Sequence, residues 1–135
     1  MLASYSGTIV GPVANYLLAN QEYRAGKLDE AAATYQSRTS SVDRHLKDLQ
    51  NFGVASINFQ QEKYADAISI LEGMQTEQSF LNEDLYILLG LSYEKSDQPE
   101  KAIATYENMI QLLQRSFFKP WAEERLLRLR NNAKS

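Results

Sequence analysis

The chain has 135 residues, 44% hydrophobic and 23% charged, a balance that fits one globular domain and argues against disorder. A net charge of −3 gives no basic face for phosphate neutralisation, so nucleic acid is not the expected ligand. The absence of cysteine excludes disulfides and thiolate metal sites and leaves both the cytoplasm and a bacterial periplasm open.

Six Gly and three Pro are few turn-makers for this length, which predicts mostly helices. The opening segment, Met1 to Pro12, carries no basic residue ahead of its apolar part and does not look like a secretory signal. No apolar run is long enough to span a bilayer. The sequence leaves the compartment open between the cytoplasm and, if an anchor or signal lies outside this sequence, the periplasm.

Taken in order, the first helix is predicted from Val10 to Ala25, stopped near Gly26. The second runs from Leu28 to Arg38 and frays through Thr39, Ser40 and Ser41. Ser41 or Asp43 caps a third helix that reaches Gln60, and a fourth spans Tyr64 to Met74, with Gly73 near its end. Ser79 or Asn82 opens a fifth that ends near Ser96. Asp97 is expected to cap the sixth, with Pro99 in its first turn where a missing N–H costs nothing, and this helix runs to Arg115. Pro120 suits the first turn of a seventh helix reaching Asn131.

The stretch from Asp84 to Ile110 carries the clearest internal pattern. Small Gly90 is followed after twelve residues by Ala102, then by Tyr106, with Tyr86, Leu89 and Tyr93 around the glycine. Two helices can approach closely at such small residues, with large side chains filling the space above and below. The same spacing recurs as Ala19, Ala31 and Tyr35, and as Ala55, Ala67 and Leu71, with periods of 36 and then 35 residues.

These residues resemble the tetratricopeptide repeat, a helix–turn–helix unit of about 34 residues. The resemblance implies an all-α single domain over residues 1–135: a right-handed superhelix of three helix pairs, about 12–42, 48–78 and 83–116, plus a capping helix over 119–131. The third copy matches best. In the first two, Asn15 and Glu22, and Asn51 and Asn58, stand where the family has aromatics. The aromatics come one residue later, as Tyr16 and Tyr23 and as Phe52 and Phe59. The family's proline after each second helix is missing. Short acidic arrays of this kind are also similar to bacterial cell-envelope members of the family, such as the ancillary subunit of the Sec translocon and the outer-membrane assembly lipoproteins.

Nothing in the sequence assembles a catalytic constellation. His45 is the lone histidine, and no nucleophile, glycosidase-like carboxylate pair, HExxH motif, phosphate-binding glycine loop or GxSxG elbow accompanies it. The expectation is a protein that is not an enzyme and uses no cofactor or metal. Arg125, Arg128 and Arg130 read as a solvated face balanced by Glu123 and Glu124. Trp121, Leu126, Leu127 and Leu129 read as the apolar side of the capping helix. The alternative is that Phe117, Phe118, Trp121 and the leucines form a surface for a membrane or a partner helix.

The resemblance implies that the first helices of the repeats line a concave groove, where a peptide or partner helix docks. The groove positions would be Tyr16, Asn20, Tyr23 and Arg24, then Phe52, Ser56, Phe59 and Gln60, then Ile87, Leu91, Glu94 and Lys95. Tyr16 and Tyr23, like Phe52 and Phe59, are seven apart and so share a helix face. An aromatic stripe of this kind serves equally as core packing. Full burial of all four rings would remove the aromatic-groove reading. The expected function is a non-catalytic scaffold for another protein or peptide. The alternatives are a self-assembling oligomerisation element, or a regulatory subunit of a larger, membrane-associated complex.

Overall fold

The computed structural model describes residues 10–36, 44–74 and 81–133, and all of its regular structure is helical. Seven helices follow in order among the described residues: α1 (Val10–Arg24), α2 (Leu28–Gln36), α3 (Arg44–Gln60), α4 (Tyr64–Gly73), α5 (Asn82–Lys95), α6 (Pro99–Leu112) and α7 (Lys119–Ala133). Both expected ends of α1 and α4, the starts of α2 and α7, and the ends of α3 and α5 land on these or within one residue. The expected caps Ser41 and Asp43 lie outside the described residues, as do Ser79 and the fraying segment from Arg38. Asn82 does open α5, preceded by Leu81 with no side-chain cap.

Contacts group the chain into two units, Met1–Glu62 and Lys63–Ser135. In the first, α1 packs on α2, and α2 on α3. Ala19 and Ala31 are fully buried, and Tyr35 lies among them. The α3 stripe Leu46, Gln50, Val54 and Ile57 recurs at steps of four and three residues, which places it on one face, and all four are buried. The seam between α1 and α2 is polar where the family has aromatics. Asn15 donates to the Thr34 carbonyl at 2.6 Å, and the Thr34 hydroxyl donates to Glu22 at 2.6 Å. Asn15 and Glu22 thus replace aromatic packing by two hydrogen bonds to one residue of α2.

In the second unit α4 packs on α5, α5 on α6, and α6 on α7. Leu85, Leu89, Ala102, Tyr106 and Met109 form its centre, all essentially inaccessible. Gly90 is a point of closest approach. A Cβ built there would lie 2.5 Å from Cζ of Tyr106, far inside ordinary contact. The first unit has a counterpart at a position the repeat spacing does not mark. A Cβ on Gly53 of α3 would lie 2.6 Å from Cζ of Tyr35. Each buried tyrosine of a second helix therefore rests on a glycine, one in its own repeat and one in the next.

The turn inside each repeat is the same. Gly26, Glu62 and Asp97 have φ of 83°, 61° and 60°, and they stand seven residues after Ala19, Ala55 and Gly90 respectively. At two of the turns a bond from the following residue closes the helix end: Lys27 N–H to the Glu22 carbonyl, and Gln98 N–H to the Tyr93 carbonyl, both 2.9 Å. This is the left-handed C-terminal cap in which glycine is usual. It corrects the expected role of Asp97. That residue follows α5 in a left-handed conformation, and Gln98 occupies the N-cap of α6 without a side-chain cap bond, its amide donating instead to the Ser96 hydroxyl at 2.9 Å. Pro99 does sit in the first turn.

Three further expectations are corrected. α6 ends at Leu112 and not at Arg115, because the chain turns through 113–118, with Ser116 N–H bonded to the Leu113 carbonyl at 2.9 Å. On α7, Leu127 points outward at 60% exposure, while Ala122 and Leu126 are the residues buried against α6. Arg125 belongs to no solvated face. It is half-buried and pairs with Glu94 across the second unit.

Candidate binding surface

In the first unit, α1 and α3 come side by side through a hydrogen bond from the Gln60 amide to the Tyr23 hydroxyl. Tyr16, Tyr23, Phe52 and Phe59 are all half-buried: none is sealed in the core and none is fully exposed. Tyr16 meets Tyr35 with ring centres 5.9 Å apart and planes tilted by 49°.

The polar neighbours are engaged within the chain. Asn20 accepts a hydrogen bond from the Tyr35 hydroxyl. The Ser56 hydroxyl donates to the Phe52 carbonyl one turn back, at 2.9 Å, so its proton is spent on its own helix. Gln60 donates to Tyr23. Arg24 is exposed at the end of α1. The four rings on α1 and α3 are thus partly exposed, and Asn20, Ser56 and Gln60 beside them are hydrogen-bonded within the chain. Burial pushes the Tyr35 hydroxyl up to about 12, with Tyr16 and Tyr23 adding to the shift, so it donates to Asn20 throughout the physiological range.

In the second unit Ile87 and Leu91 are half-buried on α5, and Lys95 is exposed at its end. Glu94 is the busiest residue there. It accepts from the Tyr106 hydroxyl at 2.6 Å and from both Nε (3.1 Å) and Nη2 of Arg125 on α7. The paired hydrogen bonds make this a fork-like grip on one carboxylate. The hydrogen bond to Glu94 raises the Arg125 pKa above its usual value, and burial followed by the same carboxylate raises that of Tyr106. Trp121 closes the arrangement edge-on to Tyr106, centroids 5.5 Å apart at 88°. Glu94 thus fastens α5, α6 and α7 together. Residues 94 and 125 are 31 apart, and the helix-face reading of the arginines gave no signal for the pair.

Tyr93 is held similarly. Its hydroxyl is pushed up to about 12 by burial and by a hydrogen bond to Glu72 on α4, and the Lys101 ammonium lies 5.9 Å from the centre of its ring. His45 lies on α3, and its side chain is outside the described set. Among the described residues no group of His, Cys, Asp and Glu could hold a metal ion. No described helix is long and apolar enough to cross a membrane.

Paired helices with a common left-handed turn, a 35–36-residue period and tyrosines seated on glycines find their counterpart in comparison with known families. A family model described as a tetratricopeptide repeat-like domain matches residues 1–132. The chain belongs to the tetratricopeptide repeat-like family. Comparison with curated proteins gives no match. Tetratricopeptide repeat-like domains are in general protein-interaction modules and typically not enzymes, and this chain is a module of that general kind.

Proposed function

We propose that the chain is a non-catalytic scaffold that docks an apolar peptide segment or partner helix on the α1–α3 surface of its first unit. The observation that carries this is the half-burial of Tyr16, Tyr23, Phe52 and Phe59 on two adjoining helices. Large rigid rings that already lose part of their freedom to packing are efficient anchors, since little further entropy is lost on binding. Arg24, exposed beside Tyr23 in sequence, would meet a polar or acidic end of the ligand. Ile87, Leu91 and Lys95 on α5 offer a second, plainer strip of the same kind, while Glu94 serves to hold α7.

The experiment is capture of partners from the source organism's extract by wild type and by Tyr16→Ala/Phe52→Ala, with folding checked by circular dichroism. Loss of a specific partner in the folded double variant is the expected result. Retention of every partner places the interface elsewhere and overturns the proposal.

A further inference from the structure

Helix α7 meets the second unit along one face. Beyond Lys119, its described buried or half-buried residues are Trp121, Ala122, Arg125, Leu126 and Leu129, at steps of one, three, one and three, which make a single stripe. Only Ala122 and Leu126 of these are buried. The centre of the stripe is a charge, Arg125, seated on Glu94 of α5. Arg130 pairs with Glu107 of α6 at 3.1 Å, with both side chains about half exposed. The floor under α7 is therefore polar at its middle, where Glu94 accepts from the Tyr106 hydroxyl. Open clefts flank the helix: one of 680 Å³ beside α6, and one of 380 Å³ between Glu94, Asp97 and Pro99 and the end of α7 at Leu129 and Asn132. Lys119 and Glu123 bring opposite charges to the larger cleft, and Glu124 and Arg128 pair with each other at 2.8 Å. The electrostatic grip of α7 thus rests on Arg125 and Arg130 against Glu94 and Glu107.

We propose that the α5–α6 face under α7 is a helix-binding site which α7 fills in cis as a displaceable lid. Its partner is an amphipathic helix with an aromatic residue and an arginine four positions apart. That pattern is the one α7 itself displays: Trp121 edge-on to Tyr106, Arg125 forked on Glu94, and Leu126 buried beside them. Glu94 sets the specificity, since a carboxylate held for a fork accepts arginine and repels an acidic residue at the same place. A lid of this make can leave at modest cost, because opening returns a carboxylate and a hydroxyl to water. Tethered through the short segment 113–118, α7 competes at an effective concentration on the order of millimolar. A partner therefore enters only when it binds more tightly than α7 or when the Arg125 clasp is weakened. Neither Tyr16 nor Phe52 takes part, so this site and the α1–α3 surface are tested separately.

Hydrogen exchange on the full chain tests the lid. Amides of α7 around Leu126 should exchange at least about tenfold faster than those of α6 around Met109, through a local opening that leaves α5 and α6 closed. Binding is read with a fluorescent peptide of residues 119–133. Arg125→Glu in the full chain sets a carboxylate against Glu94 and should free the site. That variant should bind the peptide at least about tenfold more tightly than wild type does. The same peptide carrying Arg125→Glu should not bind. Circular dichroism of the variant should show no greater loss of helix than α7 contains. Equal exchange in α6 and α7 overturns the proposal, since α7 is then an inseparable part of the core. So does collapse of the variant's fold, failure of the peptide to bind the folded variant, or equal binding of the two peptides.

Discussion

Gly90→Ala makes a sharp test of the packing, because the local rule and the tertiary contact predict opposite signs. In the middle of a helix, Ala is favoured over Gly by about 1 kcal/mol. At Gly90 the new methyl would lie 2.5 Å from Cζ of Tyr106, while ordinary contact begins at 3.4 Å, so the ring would have to retreat by about 0.9 Å. It has nowhere easy to go. Tyr106 is fully buried, its hydroxyl is tied to Glu94, and its ring meets Trp121 edge-on. Overpacking of this kind costs about 1–3 kcal/mol, and weakening the bond to a carboxylate adds about 1–2 kcal/mol. After the helix-propensity gain, the net expectation is a destabilisation of about 1–4 kcal/mol. For a chain of this length that corresponds to a fall in Tm of roughly 4–16 °C. Thermal denaturation followed by circular dichroism measures it. In a Tyr106→Leu background the same substitution should cost much less, since the two residues are coupled. A rise in Tm for Gly90→Ala in the wild-type background would refute the close approach of α5 and α6 at this point.

Other expectations follow from the turns, the buried amide and the tyrosines. Glu62→Gly and Asp97→Gly should each stabilise the fold by about 1 kcal/mol by relieving a left-handed backbone, whereas Gly26→Ala should destabilise it by a similar amount; chemical denaturation would show either. Gln50 is fully buried, and its amide has no hydrogen-bond partner among the described residues. Gln50→Met should therefore stabilise the chain by about 1–3 kcal/mol, and a loss of stability would reveal a partner for the amide. Tyr35 and Tyr93 are each pushed up to about 12, above the value of about 10 expected for the unfolded chain. Stability from holding these protons is complete below pH about 10 and is lost as the pH rises toward 12. Ultraviolet titration should show delayed tyrosines, one fewer in Tyr35→Phe, and simultaneous titration of every tyrosine in the folded chain would contradict the assignment.

The helices were legible because their cause is local. Small residues at a spacing of twelve, a glycine or polar turn between them, and Pro99 in a first turn all leave marks in the sequence. The polar seam of the first repeat was visible as a departure from the family pattern. Its meaning was not, because it depends on Thr34 standing across from both Asn15 and Glu22. The turn at Asp97 differs from its expectation for a related reason. Aspartate is a frequent helix cap, and residue type alone does not reveal a left-handed φ when the homologous turns carry Gly26 and Glu62. Gly53 leaves no mark in the repeat pattern because it lies two residues before the small residue that the spacing marks, and its partner Tyr35 belongs to the preceding repeat.

The candidate surface was legible in its residue types and less so in its surroundings. The aromatic pairs seven residues apart are half-buried, which agrees with both packing and contact. Asn20, Ser56 and Gln60 were expected to face a ligand, and each instead makes a hydrogen bond inside the chain. Glu94 differs most from expectation, since its binding capacity goes to Tyr106 and Arg125, neither of which the groove positions include.

Photocrosslinking tests the central claim most directly. A photoreactive phenylalanine analogue placed at Phe52, on the α3 side of the proposed surface, should capture a partner polypeptide. The same group at Ala33, exposed on α2, should not. Capture from Ala33 with none from Phe52 would contradict docking on the α1–α3 surface.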